Sequence, residues 1–139
     1  MRAGPRPVAF LEIPLANLTH PGATWMYEDP DLPGVVWTFG ALSKREKALV
    51  LDESFATDGE TTTTRIGSYN YWHVFLSVRG VKGAPFEDAF ATEAHPLGSR
   101  LHPVPTEAFL DTIPDVVFAR MASEVAARNS VSVEQVGES

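Results

Sequence analysis

The stretch Val35–Ser54, VVWTFGALSKREKALVLDES, constrains this chain more than any other. An extended apolar run of Val35, Val36, Trp37 and Phe39 reaches Gly40 and hands over to a helix whose start is written in residue types. Ser43 and Glu46 form an S-x-x-E capping box, in which the serine oxygen accepts the N–H three residues on and the glutamate reaches back to the serine N–H. Such a cap contributes ~1 kcal/mol. A strand that ends in a turn and a helix that starts at a defined residue leave few arrangements for what lies on either side.

At 139 residues the chain suits a single domain, 1–139, with one core. Its 44% hydrophobic and 21% charged content argues against wholesale disorder. Eighteen acids against eleven bases leave a net charge of −7, which argues against a nucleic-acid partner, because phosphate contacts need a basic footprint. The lack of cysteine removes disulfides, thiolate metal sites and a cysteine nucleophile. No apolar run approaches the ~18 residues of a spanning helix, so no membrane partner is expected. The first residues carry two arginines but soon meet Glu12 and Pro14, which is not a signal-peptide pattern. A cytoplasmic protein is the expectation.

Residues 1–34 carry six prolines and read as a proline-rich extended arm or short strands, since proline fixes φ and removes a donor. Strands are expected at Val8–Ile13, Thr24–Tyr27 and Val35–Phe39. A first helix follows over Lys44–Ala56, with Ala48, Leu51 and Phe55 on one stripe and a stop at Thr57-Asp58-Gly59. Its charges run against the macrodipole: Lys44, Arg45 and Lys47 sit at the positive end and Asp52 and Glu53 at the negative end, each costing roughly 0.3 kcal/mol or more at low salt. Either they bridge to neighbouring segments or they face a partner. Glu60–Thr64 reads as a polar loop or the lead-in to a helix.

RIGSYNYWHVFLSVRG has strand-like composition. Its polar residues Asn70, His73, Ser77 and Gly80 recur at three and four, however, which gathers them on one ridge of a helix over 69–79. That helix is expected at the centre, wet along the ridge only. Gly80–Pro105 reads as a long loop with one helical turn around Phe86–Ala91. The closing helix, Pro114–Arg128, places Phe118, Met121, Ala122, Val125 and Ala126 on one arc and an Arg120–Glu124–Arg128 ladder toward solvent. The fold expected is mainly α (α+β): a three-helix core over 35–128, a small extended or β region before it, and a polar tail over 129–139.

Chemistry is sparsely signposted. His20, His95 and His102 each precede proline and read as loop punctuation. The seven-residue interval between His95 and His102 matches no compact ligand pattern, so no metal is expected. His73 reads as a surface or boundary histidine. Neither Gly67-Ser68 nor Gly98-Ser99 completes a G-x-S-x-G elbow, and GVKGAP lacks the P-loop spacing. No catalytic residue, cofactor or enzyme activity is expected. The aromatics Trp25, Trp37 and Trp72 serve as core or as interface anchors.

In element order, an extended tryptophan segment leading into LSKREKALVLDE, a hydrophobic middle helix with a VRGVKG exit, a G-x-x-F-E-D loop and a closing IPDVVFARMASEVAARNSVSVE helix resemble the small tail assembly chaperones of long-tailed bacteriophages. The resemblance spans about Val35–Ser139 and leaves the proline-rich arm uncovered. It implies a non-enzymatic cytoplasmic protein that binds the tape-measure or tail-tube protein, and it is compatible with a homo-oligomer. Partner-binding candidates are Trp37, Leu42, Lys44, Arg45, Lys47, Leu49 and Val50. The alternatives are a structural tail or head–tail joining subunit of the virion, and a small metal-dependent enzyme using His95 and His102.

Overall fold

A three-stranded antiparallel sheet, not a bundle of three helices, organises this protein. The structure is a computed structural model and describes residues 22–129. The strand expected at Val8–Ile13 and the tail beyond Asn129 lie outside the described residues. In chain order the elements are β1 (Thr24–Glu28), β2 (Val36–Gly40), α1 (Lys44–Ser54), β3 (Phe55–Asp58), β4 (Thr61–Thr64), α2 (Ile66–Ser77), β5 (Val78–Lys82), α3 (Phe86–Ala89), β6 (Thr92–Glu93), β7 (Val104–Pro105), α4 (Glu107–Leu110) and α5 (Asp115–Asn129). Among the described residues the fold is a mixed α+β arrangement of five helices and three small sheets, which corrects the expected three-helix core.

The main sheet has the order β1-β2-β5. Trp25 faces Phe39, Tyr27 faces Trp37, Trp37 faces Val81 and Phe39 faces Val78 across the strands. Period-two alternation therefore puts all six on one face. Their packing is aromatic: Trp25 meets Phe39 edge-on at 5.8 Å, and Trp37 meets Phe86 of α3 at 5.4 Å and Phe109 of α4 at 6.2 Å. Met26, between Trp25 and Tyr27, points away and is 74% exposed.

Helix α2 ends at Ser77, and the next residue already belongs to the sheet. The expected helix was right as far as Ser77, but its continuation through Arg79 and the loop expected from Gly80 are replaced by β5. The polar ridge is also turned the other way. His73 and Ser77 are fully buried, and the Ser77 hydroxyl donates to the Gly40 carbonyl at 2.8 Å. Ser77 thus ties the ridge to the sheet, because a buried hydroxyl needs an acceptor as much as a wet one.

Pairing between β2 and β5 slips by one residue after Thr38, so Arg79 is the bulge. A bulge re-aims a side chain, and here the guanidinium lies against Gly40 and donates to the Leu76 carbonyl at 2.7 Å. A Cβ on Gly40 would stand 2.5 Å from that group. A larger residue at the end of the strand would push the Arg79 guanidinium aside.

Two further expectations fail for one reason. Of the stripe Ala48–Leu51–Phe55 only the half-buried Leu51 packs against the core, and α1 fully buries Glu46, Val50 and Ser54 instead. ETTTT is not a loop, since β4 pairs with β3 in a hairpin around Gly59, whose φ is +65°. In both places polar side chains occupy structured positions, and hydrophobic periodicity is blind to that.

The C-terminal helix α5 buries Val117, Met121, Ala122 and Val125, with Phe118 half-buried beside them. Three polar ties fasten it to the sheet side. Asn129 accepts from the Leu42 N–H at 2.8 Å, the Arg128 guanidinium lies 5.3 Å from the Trp25 ring centre, and Arg120 grips the buried Asp29 through two bonds of 3.0 Å. Arg120 also reaches Asp31, so it leaves the expected ladder, of which only Arg128–Glu124 remains, at 3.1 Å. The Arg120 hydrogen bonds, opposed by burial and assisted by the Asp31 N–H and the Tyr27 hydroxyl, hold Asp29 below the ordinary carboxylate value of 3.8. The unfolded chain therefore takes up this proton first as pH falls, so the pair's stabilisation is complete above 3.8 and fades as pH drops through the folded value. Acid unfolding followed by circular dichroism checks this: Asp29→Asn lowers the melting temperature at pH 7 and flattens its decline below pH 4 relative to wild type.

Candidate functional site

Glu46, His95 and His102 come from three separate places, and backbone geometry assembles them. Glu46 is the third residue of α1 and completes the capping box: the Ser43 hydroxyl accepts the Glu46 N–H at 3.2 Å while Glu46 Oε1 accepts the Ser43 N–H at 2.8 Å. That leaves Oε2 free to face the far loop. The loop is closed by β6 and β7, which pair Thr92 with Pro105 and Glu93 with Val104. Their pairing brings His95 and His102 together with ring centres 4.9 Å apart and planes at 84°. The proline after each histidine, read from sequence as punctuation, holds each one extended as the loop leaves and rejoins its hairpin.

Both imidazoles meet one oxygen. His95 Nε2 lies 2.7 Å and His102 Nε2 2.8 Å from Glu46 Oε2. The protons follow from the other ring nitrogens. His95 Nδ1 accepts the Leu97 N–H at 3.0 Å, so this ring carries its proton on Nε2 and donates it to the carboxylate. His102 Nδ1 faces the Pro103 carbonyl at 3.0 Å, an atom that only accepts, so His102 satisfies both neighbours only as a doubly protonated ring. Burial pushes the Glu46 carboxyl up, but hydrogen bonds from His102, the Ser43 backbone and His95 outweigh it and bring it down to about 2. Glu46 is 2% exposed and His95 is buried, whereas the His102 side chain is 22% exposed and forms the open side.

Other cations stand nearby. Burial lowers Arg79 to about 10, against an attraction to Glu46 that works to raise it. Arg45 reaches across the loop to the Leu97 carbonyl at 3.3 Å. The backward charges of α1 are thus partly explained as bridging to a neighbouring segment. Among the described residues, Glu46, His95 and His102 form a group whose donor atoms all lie within 4.8 Å of one another, a set able to hold a metal ion. The sequence reading had the two histidines but not the third member, which stands 49 residues upstream of His95.

His73 is fully buried rather than at a boundary. Its Nδ1 donates to the Tyr69 carbonyl at 2.7 Å, burial lowers its pKa against that bond, and its Nε2 has no hydrogen-bond partner.

The partner-binding candidates separate. Trp37, Leu42 and Val50 are core residues, at most 1% exposed, and no docking partner reaches them in the folded state. Lys44 and Arg45 are exposed, and Lys47 and Leu49 are half-buried. Sequence reasoning missed a groove of about 260 Å³ lined by Gly67, Tyr71, Leu110, Ile113 and Phe118, with Asp111 and Asp115 in its wall. Burial raises the Tyr71 hydroxyl, helped by the charges of Glu107, Glu93 and Asp111, so the surroundings of the groove are acidic. Ile66 and Val116, chain neighbours of Gly67 and Asp115, are 64% and 55% exposed.

No family model, curated protein or solved structure matches the chain. Among the described residues no helix is long and apolar enough to cross a membrane.

Removing the Glu46 carboxylate strands two imidazole N–H groups and the Ser43 N–H in a buried setting. Breaking such a network by deleting one partner typically costs ~3 kcal/mol or more, against ~1 kcal/mol for a cap alone. Urea unfolding of Glu46→Ala and Ser43→Ala separates the two. The glutamate variant is expected to lose about three times as much stability, and equal losses would mean that the histidine contacts contribute nothing.

Proposed function

We propose that this protein is a non-enzymatic tail assembly chaperone of a long-tailed bacteriophage, which binds the tape-measure protein while the tail is built. The observation that carries the reading is the groove between the start of α2 and the α4–α5 junction, whose lining mixes Tyr71, Leu110, Ile113 and Phe118 with Asp111 and Asp115. A groove between helices suits a docked amphipathic helix, and Ile66 and Val116 stand exposed beside this one. Asp111, Asp115 and Glu107 favour an occupant with lysine or arginine beside its apolar anchors, and the net charge of −7 steers such a chain inward. Binding of this kind needs neither turnover nor cofactor. The resemblance over Val35–Ser139 supplies the phage context and the tape-measure partner.

A Cβ on Gly67 meets nothing within 4 Å, and its φ is ordinary, so Gly67→Arg fills the groove without disturbing the core. Calorimetric titration of the wild-type chain with the tape-measure product of the same genome is expected to show saturable binding. Gly67→Arg is expected to weaken it at least about tenfold, a change of ~1.4 kcal/mol, with the melting temperature unchanged. Equal affinity moves the partner off the groove, and no wild-type binding removes the reading.

A second reading, a joining subunit that stays in the virion, is favoured by the outer edge of β1. Among the described residues β1 pairs only with β2, and such an edge accepts a neighbour's strand. Mass spectrometry of purified particles decides between the two: the chaperone is expected to be absent from them and the joining subunit present.

A further inference from the structure

We infer that Glu46, His95 and His102 form a binding site for one divalent transition-metal ion, with Zn²⁺ the best fit, independent of the partner-binding groove. The donor set is the first argument. Two imidazoles and one carboxylate suit Zn²⁺ and its neighbours, whereas Mg²⁺ and Ca²⁺ take all-oxygen sites.

Geometry is the second. One donor atom from each of the three residues lies within 4.8 Å of the others, and both Nε2 atoms stand close to Glu46 Oε2, at 2.7 and 2.8 Å. A tetrahedral ion with bonds of 2.0–2.1 Å holds neighbouring donors about 3.3 Å apart. Each imidazole nitrogen has to draw back from the carboxylate oxygen by roughly half an ångström, which small side-chain rotations supply.

The supporting contacts are the third argument. A metal-bound histidine donates its other N–H to a carbonyl or carboxylate, and His102 Nδ1 already faces the Pro103 carbonyl at 3.0 Å. The Ser43 N–H holds Glu46 Oε1 and aims Oε2 into the clasp. His95 is the residue that has to change. Its Nδ1 now accepts the Leu97 N–H, so coordination through Nε2 moves its proton to Nδ1 and breaks that bond. One neutral hydrogen bond is lost, whose donor residue Leu97 is half-buried, while three coordinate bonds form. At His102 the Nε2 proton leaves to solvent. The positive charges of Arg79 and Arg45 hold the affinity below that of a closed four-ligand site. Three protein donors leave the fourth position to water, on the side where His102 is exposed.

The test uses the full chain, stripped with chelator and dialysed, and titrated with Zn²⁺ alone by calorimetry and with Co²⁺ alone by visible absorption. One equivalent of Zn²⁺ is expected to bind with a Kd of ~1 μM or tighter, raising the melting temperature in excess metal, and Co²⁺ is expected to give the intense bands of a tetrahedral site. His102→Ala, on the open side of the clasp, is expected to weaken Zn²⁺ binding at least about tenfold while keeping the wild-type circular dichroism spectrum, and Glu46→Gln is expected to do the same. Substoichiometric binding to the wild type, or a Co²⁺ spectrum of the hexa-aquo ion, overturns the proposal even if both variants fail to fold. Unchanged binding in folded His102→Ala overturns it too, by placing the ion elsewhere.

Discussion

One carboxylate links two parts of this protein that are far apart in the chain. Glu46 reaches back to the Ser43 N–H with one oxygen and takes two imidazoles with the other. The first contact sets where α1 begins, and the second pins the 94–103 loop against that point. A buried charge is tolerated only when its lone pairs are met, and here three donors meet them. Because the loop is closed by just two residue pairs between β6 and β7, the clasp at Glu46 supplies the restraint that such a short ladder does not.

The same principle, a buried polar group answered from a remote segment, fastens the rest of the fold. Asp29 is answered by Arg120, the Gly40 carbonyl by Ser77, and the Leu42 N–H by Asn129. Each joins the β1–β2 side of the molecule to a helix that comes later. Together they orient the sheet's apolar face against α3, α4 and α5, where Trp37 meets Phe86 and Phe109 and Trp25 lies beside Arg128. Hydrophobic burial is non-directional. The directional bonds select one orientation among the many that would bury the same area.

Function divides along the same line. The groove beside Tyr71 and the clasp at Glu46 involve different residues and different chemistry, one a mixed lining of aromatic, aliphatic and aspartate side chains and the other a compact set of nitrogen and oxygen donors. Of the basic residues of α1, Arg45 belongs with the clasp, since it bridges to its loop. The basic residues do not form one face with Trp37, Leu42 and Val50, which lie in the core. Choosing partner residues by their unusual type joined positions that face opposite ways, because type says nothing about which side of an element is covered.

What was legible in the sequence is what neighbouring residues decide among themselves. The capping box at Ser43, strands β1 and β2, the helical winding of 69–77, the turn at Phe86 and the closing helix each follow from spacing over a few residues. What only the tertiary structure decided is everything that depends on distant partners. The Thr61–Thr64 strand exists because β3 lies beside it, and β5 because β2 offers an edge. Ser77 of the polar ridge is buried with its apolar neighbours because Gly40 presents a carbonyl to it. The histidines of two His-Pro pairs gain a common partner 49 and 56 residues away, at Glu46. Local periodicity reports a side chain's preference for water or oil, and it carries no information about a hydrogen-bond partner that only the folded chain brings within reach.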